Sequence, residues 1–305
     1  MRYVPYDDLD GAPNIIVDGP PTGGTVLTLS HWRGSGSPEQ LAADLSTQIA
    51  FNYLDRPEMH VDAEAVSNNH FDEDGLCGVY AVLHPDEARQ HRDLLIDIAS
   101  AGDFGTFRAR DAARICFALF AYGDPARSPL ALPEPYEEQC AVLYATLLGL
   151  LPDLLAHPER FDELWAEEDA TFERDAARLA SGAISISEAP DVDLAIVASS
   201  DGFPHEFVVN NATQRLRVLE IAGDRYRLRY RYETWVLFVS RPTMPRVPLE
   251  DLADDLSARD EVPWSFPGID RITPALQPDG PSVLPPDEVR AAVEEFLRAR
   301  GADAA

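Results

Sequence analysis

The chain has 305 residues and a formal net charge of −28, with 53 acidic and 25 basic side chains. Because proteins that bind DNA or RNA broadly rely on a basic surface, this charge argues against long nucleic acid as a partner. The sequence contains no lysine, which excludes a Walker A phosphate loop and Schiff-base chemistry. We find neither a signal peptide nor an apolar run of membrane-span length, and therefore expect a cytoplasmic protein with no membrane partner.

The first part of the chain predicts an alternation of strands and helices. Strands are expected at 14–18, 25–29 and 62–67, and helices at 37–54, 76–83 and 86–101. Ser37 and Pro38 would begin the first helix as its cap and its first residue. Three further helical pieces are expected between 109 and 181, separated by proline-rich breaks. The pattern favours an α/β domain with a mainly parallel sheet and flanking helices.

The composition changes after Pro190 and favours strands. These are expected at 194–199, 207–210, 215–221 and 225–239, followed by an irregular segment at 263–281 and a helix at 286–300. We therefore predict two domains: residues 1–188 as the α/β domain, and residues 189–305 as a smaller, β-rich α+β domain.

One loop carries residues suited to metal chemistry. The segment His70-Phe71-Asp72-Glu73-Asp74-Gly75 lies between a predicted strand and a predicted helix. Two carboxylates and an imidazole this close together suit Mn²⁺, Mg²⁺ or Zn²⁺. In open α/β sheets, sites form at the carboxyl ends of strands, as here. The structural alternative is a turn in which Asp74 caps the following helix.

The pattern His-x-Asp-x-Asp-Gly after a strand resembles the first motif of the DHH phosphoesterase superfamily. That resemblance implies that His70, Asp72 and Asp74 bind Mn²⁺ and act as catalytic residues, with the metal activating water for attack on phosphorus. The later Asp-His-His motif that names the family is absent, because no two of the seven histidines are adjacent.

Further ligands would have to come from other segments. Asp18 and His31 each follow a predicted strand, although Asp18 also begins a Gly-Pro-Pro turn. The resemblance implies one more Asp, for which Asp103 and Asp201 are both candidates. The predicted metal ligands are therefore His70, Asp72, Asp74, Asp103, Asp18 and His31.

A row of arginines marks the second predicted domain. In the segment 225–232, four Arg alternate with Tyr and Leu, so a strand would place all four Arg on one face. Such a row either pairs with carboxylates or binds an anion. In the second case, Arg227 and Arg229 would bind the substrate phosphate.

Together these features predict a divalent-metal-dependent phosphoesterase, a hydrolase with Mn²⁺ as the expected cofactor. Its substrate would be a nucleotide, another small phosphorylated molecule or a short oligonucleotide. The alternative is a non-catalytic relative that kept part of the metal loop and acts as a ligand-binding or interaction protein.

Overall fold

The computed structural model describes residues 1–302, which form two compact units. The first unit comprises residues 1–170 together with Val236–Arg241, and the second comprises the remaining described residues. The division along the chain falls at 170/171, within a helix, rather than at the predicted 188/189.

The first unit contains a four-stranded parallel sheet. Its strands are β1 (Arg2–Tyr3), β2 (Asn14–Val17), β3 (Thr25–Leu29) and β4 (Ala65–Ser67), in the order β1-β4-β2-β3. Every residue of β2 and β4 is buried, as expected for parallel strands covered on both faces. The carboxyl ends of β4, β2 and β3 therefore lie side by side at one edge of the sheet.

Helices supply most of the first unit. They are α1 (Ser46–Leu54), α2 (Glu73–Leu83), α3 (Pro85–Gln90), α4 (Arg92–Phe104), α5 (Arg110–Gly123) and α6 (Tyr136–Ala156), followed by α7 (Asp162–Ser181), which crosses the division between the units. Gly78 lets α2 lie directly against the sheet, because a Cβ at this position would be 2.6 Å from Val17 Cγ1. This close packing holds the N-terminus of α2 at the carboxyl edge of the strands.

Within the described residues, α6 is the one helix that is long and apolar enough to cross a membrane, judged by length and composition alone. The expectation that no segment would qualify was therefore too strict. Its buried face includes Leu143, Leu147, Leu151 and Leu154, which belong to the hydrophobic core of the first unit. Helix α6 is therefore a core helix of the first unit.

The second unit contains a six-stranded, mostly antiparallel sheet. Its elements are β5 (Ile184–Ala189), β6 (Leu194–Ser199), α8 (Glu206–Ala212), β7 (Arg217–Ala222), β8 (Arg225–Tyr230), α9 (Glu250–Arg259), β9 (Trp264–Ser265), β10 (Ala275–Pro278) and α10 (Pro286–Ala302). The strand order is β5-β6-β7-β8-β10-β9, and β6 and β7 pair in parallel. With a parallel sheet in one unit and a β-rich α+β arrangement in the other, the predicted α/β fold class is confirmed.

Several predicted elements were wrong in detail. Residues 207–210 form part of helix α8 instead of a strand, with the His205 ring accepting a hydrogen bond from Phe207 N–H at its start. The helix predicted at 37–54 begins only at Ser46, after a short 3₁₀ turn at Glu39–Leu41. The segment predicted as irregular, 263–281, includes β9 and β10.

Candidate metal centre

Four segments of the first unit bring acidic and imidazole side chains to one place. Asp18 follows β2, His31 follows β3, and the loop after β4 carries His70 and Asp72. Two helices complete the group, Asp74 from the first turn of α2 and Asp103 from the last turn of α4. All six residues predicted as metal ligands therefore belong to one cluster.

One half of the cluster, the outer half-site, consists of Asp18 Oδ2, His70 Nε2 and Asp72 Oδ2. His70 Nε2 lies 2.8 Å from Asp72 Oδ2 and 3.3 Å from Asp18 Oδ2. The side chains of His70 and Asp72 are 19% and 26% exposed. The outer half-site is therefore the part of the cluster that solvent can reach.

The other half, the inner half-site, consists of Asp18, His31, Asp74 and Asp103. His31 Nε2 lies 3.3 Å from Asp18 Oδ1, 3.8 Å from Asp74 Oδ2 and 3.5 Å from Asp103 Oδ2. The side chains of Asp18, His31 and Asp74 are fully buried, and that of Asp103 is 5% exposed. This half-site is closed to solvent, unlike the outer one.

Asp18 is shared between the two half-sites, one carboxylate oxygen facing each. The backbone of Asp18 is left-handed, with φ of 52°, a conformation that Asp and Asn adopt more readily than most residues. Its Oδ1 also accepts a hydrogen bond from Ser46 Oγ at 2.6 Å. In each of two sets, Asp18 with His70 and Asp72, and Asp18 with His31 and Asp74, the ligand atoms lie within 4.8 Å of one another. The geometry thus suits two cations bridged by one carboxylate.

Two buried oxygens indicate that a cation fits here. Within the described residues, Asp18 Oδ2 and Asp103 Oδ2 accept no hydrogen bond of ordinary geometry. A buried carboxylate oxygen without a donor is costly. Asp103 carries a second cost, because the C-terminus of a helix disfavours negative charge. Metal ligation would compensate both costs, since nitrogen and carboxylate oxygen together suit Mn²⁺ or Zn²⁺.

The charges in the cluster shift its pKa values strongly. Burial raises the pKa of Asp74 to about 7, and the neighbouring charge of Asp18 adds to this effect. Burial and the negative charge of Asp74 likewise raise the pKa of Asp103 well above its ordinary value. Burial alone would lower the pKa of His31, but its interactions with Asp18 and Asp74 raise it to about 9. The metal-free cluster therefore holds protons that a cation would displace.

For Asp18 and His70 the attraction between opposite charges is stronger than the effect of burial. Burial alone would raise the pKa of Asp18, yet its contacts with His31 and His70 hold that pKa below its ordinary value. Burial alone would lower the pKa of His70, but Asp72 and Asp18 raise it well above its ordinary value. Asp18 is therefore the carboxylate that stays ionised at the centre of the cluster.

The two Asp of the sequence motif also cap helices. Asp72 Oδ1 accepts a hydrogen bond from Gly75 N–H at 2.7 Å and so caps α2, a role that the structural alternative gave to Asp74. Asp74 instead accepts the Ser46 and Thr47 N–H groups, both at 2.7 Å, at the start of α1. Helix α2 therefore has a cap, provided by Asp72. The hydrogen bonds of Asp74 connect the start of α1 to the segment His70–Gly75.

The sequence analysis missed the residues that hold these side chains in place. Asp44 accepts a hydrogen bond from His31 Nδ1 at its backbone carbonyl, 2.6 Å away. Asn68 Nδ2 donates to Tyr144 Oη at 3.0 Å beneath the loop. The residue at the N-cap of α1 is Leu45, which is not a typical capping residue, so no local signal marks Asp44. No local signal relates Asn68 to a residue on α6.

Two arginines of β8, Arg227 and Arg229, lie in the second unit and pair with carboxylates. Glu220 Oε2, on the adjacent strand, accepts from Arg227 Nε at 2.7 Å and from Arg229 Nε at 3.3 Å. Arg229 is buried and also contacts Glu206 at 3.0 Å and Asn210 at 2.9 Å. These contacts favour carboxylate pairing over a phosphate site, and substrate binding by Arg227 and Arg229 stays a prediction.

Asp201, the other candidate for an additional ligand, is an exposed residue of the second unit. Its nearest ionic partner is Arg178, whose Nη2 lies 3.6 Å from Asp201 Oδ2. Of the two candidates, Asp103 is the one found in the cluster.

Comparison with known proteins places the chain in a family. No curated protein and no solved structure is significantly similar to it. The sequence profile described as "Family of unknown function (DUF6687)" matches residues 1–305. The chain therefore belongs to this family.

Proposed function

We propose that the protein is a divalent-metal-dependent phosphoesterase that hydrolyses a small phosphorylated substrate. The observation that carries the proposal is the position of Asp18 between two His–Asp sets, one reached by solvent and one closed. A carboxylate shared by two cations is the arrangement expected of a two-metal phosphoryl-transfer site. The site also lies at the carboxyl edge of a parallel sheet, where α/β enzymes bind their ligands.

The residues of the two half-sites would have different tasks. Bound metal would lower the pKa of a coordinated water and polarise a phosphoryl oxygen. His70 and Asp72 present the accessible ligands, so the substrate would approach from their side. His31, Asp74 and Asp103 are enclosed and would hold their cation without contacting the substrate. Asp18 would fix the distance between the two cation positions, because its two oxygens belong to one rigid carboxylate.

The resemblance to the DHH phosphoesterases supports the same reading. The segment His70-Phe71-Asp72-Glu73-Asp74-Gly75 supplies ligands to both halves of the cluster. Although the Asp-His-His motif is absent, Asp18 and His31 supply a second carboxylate and a second imidazole. We propose Mn²⁺ as the cofactor, with Mg²⁺ or Zn²⁺ as alternatives, and a nucleotide or short oligonucleotide as substrate. We also propose a cytoplasmic location.

One observation favours the non-catalytic alternative. Three of the four ligands of the inner half-site have fully buried side chains, so a cation there could serve folding alone. In that case the protein would bind a ligand or a partner without turning it over.

Turnover assays with two variants separate these functions. Nucleotide phosphates and short oligonucleotides would be incubated with Mn²⁺ and wild type, Asp72→Asn or Asp153→Asn. Asp72→Asn keeps an oxygen that can cap α2 but loses the ligand charge. Asp153→Asn removes an exposed carboxylate on α6 and serves as the matched control.

We expect turnover in wild type and Asp153→Asn, and its loss in Asp72→Asn. Equal turnover in all three proteins would assign the activity to a contaminant and refute the proposal. Saturable nucleotide binding by the wild type without turnover would support the non-catalytic alternative.

A further inference from the structure

The segment Val236–Arg241, which we call the strap, contacts the buried histidine of the inner half-site, His31. Its neighbours along the chain belong to the second unit, but the strap itself packs in the first. The backbone amide of Leu237 donates a hydrogen bond to the backbone carbonyl of His31, 2.7 Å away. The amides of Val239 and Ser240 donate to Asp44 Oδ1 at 2.7 and 2.9 Å. The strap therefore contacts both His31 and the residue that orients its ring.

Asp44 connects the strap to the metal ligand. Its backbone carbonyl accepts a hydrogen bond from His31 Nδ1, which leaves Nε2 directed at the carboxylates of the inner half-site. A carbonyl can only accept, so this contact fixes a proton on Nδ1. Nearby, the strap residue Phe238 packs edge-on against Phe104, with ring centroids 5.5 Å apart. Phe104 follows Asp103, so the strap supports two sides of the half-site.

We propose that the strap is a positioning element for the inner half-site and that Asp44 is its positioning residue. The inference rests on the proposed metal centre. Groups that orient a metal-bound imidazole typically change metal affinity by roughly 10–100-fold. Because coupling between two binding events is reciprocal, a docked strap strengthens metal binding and bound metal strengthens strap docking.

The test uses variants that change the strap contact but keep all ligands. Asp44→Ala removes the acceptor of two strap amides and keeps the carbonyl that contacts His31. Asp44→Asn keeps a side-chain oxygen that can accept from the same amides. Asp55→Ala, the control, removes a half-exposed carboxylate of the first unit that pairs with Arg92. Mn²⁺ titrations by calorimetry would be assigned with His31→Ala for the inner step and His70→Ala for the outer step.

We expect Asp44→Ala to weaken the inner step by at least roughly tenfold and to leave the outer step unchanged. Asp44→Asn should recover most of the affinity, and Asp55→Ala should match the wild type. If the wild type binds in two steps and Asp44→Ala leaves both unchanged, the positioning role fails while the metal centre stands. If both steps weaken equally, the effect is general and the positioning role fails too. A wild type that binds no Mn²⁺ refutes both proposals.

A second measurement needs no variant. Chymotrypsin cleaves after aromatic residues, and Phe238 offers such a site within the strap. We expect Mn²⁺ to slow cleavage there in the wild type, because bound metal favours the docked strap. An unchanged cleavage rate at Phe238, measured where calorimetry shows the inner step saturated, would overturn the coupling.

Discussion

If Mn²⁺ binds as proposed, replacing Asp18 by Asn should remove most of the stabilisation that the metal gives to the first unit. Asn is the appropriate substitution because it also tolerates the left-handed backbone of this residue. Its side-chain oxygen can still accept the hydrogen bond from Ser46 Oγ. The variant should therefore fold, while both half-sites lose the charge of their shared ligand.

The size of the effect follows from the number of sites that share Asp18. When the free Mn²⁺ concentration is about 1,000 times the dissociation constant, one bound cation increases the free energy of unfolding by about 4 kcal/mol. For a domain of this size, 1 kcal/mol shifts Tm by roughly 2–4 °C. Each half-site should thus contribute a Tm increase of roughly 8–16 °C at saturating Mn²⁺. Asp18→Asn should lose most of the combined increase, whereas His31→Ala or His70→Ala should lose about half.

Thermal denaturation with EDTA and with Mn²⁺, followed by circular dichroism, measures this shift. Asp55→Asn is the matched control, since it removes one negative charge from the same unit at a partly exposed position. A wild-type response to Mn²⁺ in Asp18→Asn would show that the bridging carboxylate does not hold the metal. A full loss in His70→Ala alone would show that the two half-sites are not separate.

Three further outcomes are expected. Asp103→Asn should stabilise the metal-free protein by roughly 1–3 kcal/mol, measured in urea with EDTA, because folding no longer has to desolvate and protonate the Asp103 carboxyl group, whose pKa burial raises. An unchanged midpoint would contradict this. The metal-free protein should lose stability as pH rises from about 5 to 9. A group whose pKa is higher in the folded than in the unfolded protein stabilises the fold only while it is protonated, and Asp74 loses its proton near pH 7 and His31 near pH 9. A Tm that rises over the same range would contradict these pKa shifts. Gly75→Ala should destabilise the protein by more than about 2 kcal/mol, because its Cβ would lie 2.0 Å from Asn68 Nδ2. Gly149→Ala, with open space around the new Cβ, should be neutral or slightly stabilising. Equal effects of the two changes would contradict the packing argument.

Three of the four strands of the first unit, β2, β3 and β4, were predictable because their signals are local, whereas β1 was not predicted. The apolar segments before Asp18 and His31 are short, rich in β-branched residues and bounded by Gly, Pro or Ser. Since parallel strands end at a common edge, polar residues after them are expected to converge there. This reasoning placed residues from three loops in one cluster without any knowledge of contacts.

What could not be predicted depends on contacts distant in sequence. The start of α1 is fixed by Asp74, which lies 27 and 28 residues from the amides it accepts, so the local Ser-Pro signal at 37–38 was misleading. Helix α8 was mistaken for a strand because Phe207, Val208 and Val209 have strand composition. The strap is beyond any local signal, since its amides contact Asp44 across 195 and 196 residues.

The left-handed backbone at Asp18 limits how this position can diverge. Glu has the same charge, but it fits this backbone less readily than Asp and would place its carboxylate one methylene further out. Gly and Asn fit the backbone and lack the charge. If other members of the family have lost the cations, we expect Gly or Asn at this position, with the neighbouring histidines free to vary. Aligned sequences of the family would therefore separate metal-binding members from the others by this one position.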